Sequence, residues 1–179
     1  MYFCLVILVF NYNFARKMKK KRIVNRVGDI YCVTLDDSKV YLQYVARDET
    51  QLCSPVVRVF KKRYAPNEVV DLEDVVCGEV WFYAHVMLRT VLYEEYWEKV
   101  GSSKNLGDTE NIKFRLFSEG NFSHLTVSHK WFVWTINHKY VHIGDLTGEY
   151  KKYSLGWLFP PYQVYEKIRT GEFPIRQLS

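Results

Sequence analysis

The chain has 179 residues, 48% of them apolar and 17% aromatic, enough for one domain with a buried core. Its formal charge of +5 belongs to its start: Arg16, Lys17, Lys19, Lys20, Lys21 and Arg22 are accompanied by no acidic residue, and 23–179 holds 19 basic against 20 acidic residues, a net of −1. A near-neutral body argues against nucleic acid as a partner, and four cysteines (Cys4, Cys32, Cys53, Cys77) without a CxxC pair exclude a zinc knuckle or a dithiol redox motif.

Tyr2–Phe10 is an apolar run of nine residues, too short to span a bilayer. Positive charge follows it, whereas a secretory signal carries that charge in front. With Met18 leading into Lys19-Lys20-Lys21-Arg22, residues 1–22 read as an N-terminal extension, the first 17 as a loose arm or the product of a misassigned start. Residues 23–179 then read as a single β-rich domain in the cytoplasm, with its thiols reduced and no membrane association.

Asp29–Leu35 sets Ile30, Cys32 and Thr34 against Tyr31, Val33 and Leu35, the pattern of a strand. Asp36-Asp37-Ser38 supplies a turn, and Lys39–Ala46 returns with Val40, Leu42 and Tyr44 on one face. Pro55 interrupts, and Val56–Phe60 is a third β-branched run, with Cys32 and Cys53 expected as small buried apolar groups. A polar loop leads through Pro66-Asn67 to the acidic segment Asp71-Leu72-Glu73-Asp74, expected as loop. Glu79–Tyr93 fits a long strand by its β-branched and aromatic content, with Tyr96–Val100 as its partner after a Glu94-Glu95 turn. Gly101–Gly107 is the main loop, and Lys113–Phe117 and Lys130–Ile136 are further strands. Asn137-His138 is the turn of a hairpin returning through Lys139–Ile143. Pro161–Thr170 carries Pro in the first turn, Val164, Tyr165 and Ile168 on one stripe, and Gly171 as its stop, so a helix is expected there. The whole is mainly β with a minor α part: a small antiparallel, twisted sheet or partly open barrel with a C-terminal helix.

Few side chains suggest chemistry. His138 and His142 lie four apart, which on a strand separates them by about 13 Å, too far for one ion. His85, between Ala84 and Val86, is expected as a hydrogen-bonded, half-buried histidine. The loop Gly101–Gly107 lacks the order of a phosphate-binding loop, and no GxSxG elbow is present. No catalytic residue, metal or cofactor is therefore expected. Asp71, Glu73, Asp74 and Glu79, with Glu94 and Glu95, read as a solvated face or as an acidic docking surface for a basic partner. Trp131, Phe132, Trp134 and Tyr140 form the densest aromatic group. Rings alternate there, so Trp131 and Trp134 are candidates for a partner surface or for a second packed layer.

Gly28-Asp29-Ile30, then Val33 and Leu35, Asp36-Asp37, Tyr41 and Val45 resemble the opening of the immunity protein 26 family of bacterial polymorphic-toxin systems. The likeness covers the first hairpin and extends to Trp97–Gly101, while Ser38 stands where that family has Gly. The resemblance implies a non-enzymatic inhibitor that binds and neutralises a cognate toxin. Two readings compete with it. A toxin endoribonuclease with an SH3-like barrel also opens with Gly-Asp-hydrophobic, but it would carry Arg-Pro where Cys53-Ser54-Pro55 stands here. A peptide- or nucleic-acid-binding β module would use Trp131 and Trp134 as its platform.

Overall fold

Alternating apolar residues along most of the chain resolve into ten strands and two helices in the computed structural model, which describes residues 24–93, 95–119, 124–175 and 178. The reading of residues 1–22 lies outside that range. In chain order the elements are β1 (Asp29–Thr34), β2 (Lys39–Asp48), β3 (Ser54–Phe60), α1 (Leu72–Val76), β4 (Val80–Val86) and β5 (Trp97–Ser102). They continue with β6 (Lys113–Phe117), β7 (Trp131–Thr135), β8 (Val141–Gly144), β9 (Ser154–Leu155), β10 (Leu158–Phe159) and α2 (Pro161–Thr170). Among the described residues no helix is long and apolar enough to cross a membrane.

The fold is mainly β, as expected, but it is built from two sheets. One has the order β10-β4-β3-β2-β1-β5 and the other β8-β7-β6-β9, and neither closes into a barrel. Both are mixed, because β10 runs parallel to β4 and β9 parallel to β6 while the other pairs are antiparallel.

The larger sheet is covered on both faces, which explains why β1 and β2 are apolar at nearly every position. On one face Tyr31, Val33, Leu42 and Val59 pack against Val164 and Ile168 of α2. Burying each such side chain contributes about 1.5–3 kcal/mol. The helix starts at Pro161 and stops at Gly171, whose φ of +92° puts it in the left-handed region that favours glycine. The other face is shared. At one end Ile30, Cys32, Tyr41 and Phe60 lie under Val75 and Val76 of α1, and at the other Val45 and Val56 lie under Phe114 and Trp134 of the second sheet.

A bulge in β2 sets up that second contact. Tyr44 pairs with Val57 and Ala46 with Val56, so Val45 is an extra residue. The insertion reverses the alternation beyond it and brings Ala46 and Asp48 onto the face that meets the second sheet.

Four expectations are corrected. The segment Glu79–Tyr93 is strand only to Val86, after which Met87 N donates to Phe159 O and Thr90 turns its hydroxyl to Met87 O, starting a short 3-10 helix over Leu88–Tyr93. Because β10 occupies the free edge of β4, the segment starting at Trp97 pairs with β1 instead. The acidic segment is partly helical: Asp71 caps α1 by accepting a hydrogen bond from Glu73 N at 2.9 Å. Pro55 does not interrupt β3 but lies within it, one residue before β3 begins to pair with β4.

Candidate functional site

The Gly-Asp pair at the head of β1 is a junction. Gly28, at φ +99°, donates from N to Tyr44 O and accepts at O from Ser103 N, and a Cβ there would stand 2.7 Å from Ser103 O. Buried Asp29 accepts from Arg26 N and from Lys99 Nζ, each at 2.7 Å, tying β1 to β5. Both residues hold structure, in keeping with a sequence motif that marks a fold.

Two polar networks lie between the layers. In the first, Asp48 and His85 are each 0% exposed. Asp48 Oδ2 accepts from His85 Nε2 and Trp134 Nε1, both at 3.1 Å, while Oδ1 accepts from the amides of Thr50 and Gln51. Burial alone would raise this carboxyl, but the bonds from His85, Gln51, Thr50 and Trp134 outweigh it and hold Asp48 well below the usual carboxylate range. His85 is thus fully buried, not half-buried, and its ring packs against Phe114 at 4.2 Å. No substrate reaches this pair without parting the sheets.

In the second network Arg58, 4% exposed, donates from Nε and Nη2 to Gln43 Oε1 and from Nη2 to Asn105 O. Gln43 in turn donates to Gly28 O and Ser103 O. Burial lowers the Arg58 guanidinium from its usual value, opposed by nearby Tyr83 and Cys77. Arg58 therefore fastens the loop after β5, and Gly107 lies so close that a Cβ would come within 2.4 Å of Nη1.

The candidate partner residues separate into three places. Asp71, Glu73, Asp74 and Glu79 come together at α1 and are all exposed. Glu73 accepts from Ser103 Oγ and Glu79 pairs with Lys61 at 2.8 Å, an exposed ion pair worth about 0–1 kcal/mol. Residues 66–79 carry five carboxylates and no basic residue. Val69 stands among them 98% exposed, and Glu98 extends the same face from β5. Glu95 is exposed at the opposite end of β5, about 20 Å away along the strand, and Glu94 lies outside the described residues.

Comparison of this chain with protein families, curated proteins and solved structures finds no match.

Trp131 and Trp134 are interior. Trp131 packs with Phe117, Leu146 and Leu178, and Trp134 lies between the sheets, so neither ring offers a platform. Their exposed neighbours mark a different feature that the sequence reading missed, a cleft of about 260 Å³ lined by Leu52, Leu116, Phe132 and Tyr140. The turn at Asn137-His138 holds one wall in place, because Asn137 Oδ1 accepts from Glu49 N and His138 O from Gln51 Nε2.

Among the described residues no group of three His, Cys, Asp or Glu could hold a metal ion. Cys32 is buried as expected, and burial raises its thiol. Cys53, expected to be buried, is exposed at a turn with φ +45° because the chain reverses there between β2 and β3.

Proposed function

We propose that this chain is a non-enzymatic binding protein of the immunity type, which neutralises a cognate bacterial toxin in the cytoplasm by docking on it. The observation that carries this reading is the acidic pole around α1. Five carboxylates there surround an exposed valine, with no lysine or arginine in the segment 66–79. Such a surface speeds encounter with a basic partner through long-range charge and leaves an apolar contact for the docked state. The likeness of Gly28–Val45 to the immunity family supports the same reading, as does the burial of Asp48 and His85 beyond reach of a substrate.

The test is co-expression with the toxin encoded beside the gene. The wild-type chain should rescue growth and bind the purified toxin, and the double variant Asp74→Lys, Glu79→Lys should weaken binding by about tenfold or more while remaining folded. Failure of the wild-type chain to bind or rescue rejects the proposal. Cleavage of RNA by the purified chain would favour the endoribonuclease reading instead.

A further inference from the structure

The smaller sheet ends in a strand with an open side. β8 pairs with β7 alone among the described residues, so alternate backbone N–H and C=O groups along Val141–Gly144 face away from the sheet. Natural edge strands are commonly blunted by proline, by a covering element or by inward-pointing charge. Here Val141 is 60% exposed and Tyr140, just before it, 57%.

The two faces beside this edge differ in chemistry. On one, Tyr140 and His142 stand against Phe132, with ring centroids 5.1 and 4.9 Å away, at the mouth of the aromatic cleft. On the other, Val141 lies opposite Val133 in a second groove of about 470 Å³ rimmed by Lys113, Lys139 and Tyr153. Lys113 Nζ stands 5.3 Å over the Tyr153 ring, and Lys151 and Lys152 precede that tyrosine. Glu110 is the one carboxylate in the described lining of that groove. Residues 124–143 carry Lys130 and Lys139 and no Asp or Glu.

We infer that β8 is a docking edge for an extended peptide in which aromatic or large aliphatic residues alternate with Asp or Glu. An added strand sends successive side chains to opposite faces of the sheet. One set therefore enters the aromatic cleft beside Phe132 and Tyr140, and the next meets the lysines beyond Val141. Charge complementarity selects the acidic set, and the unpaired backbone supplies the register. This face is opposite in charge to the acidic pole, so each can fail its test without the other.

The full chain is titrated into fluorescein-labelled Ser-Glu-Phe-Glu-Val-Asp-Ser and followed by anisotropy. The controls are a scramble with the two apolar residues adjacent and a labelled uridine octanucleotide. The alternating peptide should bind about tenfold tighter than either control, and Lys139→Glu and Tyr140→Ser should each weaken it about fivefold or more. Peptide addition should also shift the backbone amide resonances of 141–144 in the wild-type chain, a readout that survives if a variant misfolds. Equal binding of the scramble, tighter binding of the oligonucleotide, or amide shifts confined to other strands would overturn the inference. So would sedimentation showing β8 filled by a second copy of the chain.

Discussion

Asp48 and His85 meet at 3.1 Å although the whole of β3 runs between their strands. The His85 ring crosses over β3 to reach the carboxylate, and Trp134 of the other sheet reaches it from above. One carboxylate thus joins two strands of the larger sheet to the core of the smaller one.

Replacing Asp48 by Asn should therefore weaken the joint between layers. The amide would present a donor to groups that are themselves donors, at a cost of about 2–4 kcal/mol in urea unfolding. The pH dependence has a fixed sign. Because folding holds Asp48 below its unfolded value of 3.8, its contribution is complete above that pH and is lost progressively as pH falls beneath it. The wild-type chain should lose stability on acidification below that point more steeply than Asp48→Asn, as read by tryptophan fluorescence.

Lys167 on α2 places its ammonium between three rings, 5.4 Å from Trp81 and 5.5 Å from each of Phe82 and Phe173, and donates to Gly171 O at 2.6 Å. Burial lowers this lysine from its usual value, opposed by Glu172. Lys167→Met keeps the aliphatic stem and removes the charge, so a loss of about 1–2 kcal/mol is expected in thermal or urea unfolding. An unchanged midpoint would show that the rings contribute only as apolar surface.

Gly156 faces Trp134 so closely that an added Cβ would stand 1.9 Å from the indole. Gly156→Ala should cost about 1–3 kcal/mol by forcing the ring from its place between the sheets. Near-ultraviolet circular dichroism would register the displaced indole even where the chain stays folded.

Thiol reactivity checks the burial pattern. Iodoacetamide applied to the native chain should label Cys53 and Cys77, which are exposed, while Cys32 reacts only after denaturation. Peptide mapping by mass spectrometry separates the three sites.

Local pattern made some of this readable before any coordinates. The helix Pro161–Thr170 coincides with its expected bounds because a proline start, an apolar stripe and a glycine stop agree. β1, β2 and β6 were equally plain from alternation. Pairing over long distances was not. Nothing in Trp97–Ser102 says that it joins β1, since that choice depends on β10 filling the edge of β4 some 60 residues later. The aromatic run Trp131–Trp134 carried an ambiguity of the same origin. Alternation puts rings on both faces, and only the packing of Leu178 on one side and the larger sheet on the other makes both tryptophans interior. The acidic pole was visible as composition, but Glu95 left it once β5 had a direction. Asp48 escaped notice for a more specific reason: uninterrupted alternation from Tyr44 would have put it on the wrong face.

The bulge at Val45 therefore makes residue count the constrained property of this part of the chain. Many side chains would be tolerated at 45, but deleting the position would restore strict alternation and swing Asp48 to the face occupied by α2. His85 and Trp134 would then be buried with no shared acceptor, and the two sheets would keep their strands while losing their attachment. Between Tyr44 and Asp48, a change of length should prove far more damaging than a change of letter.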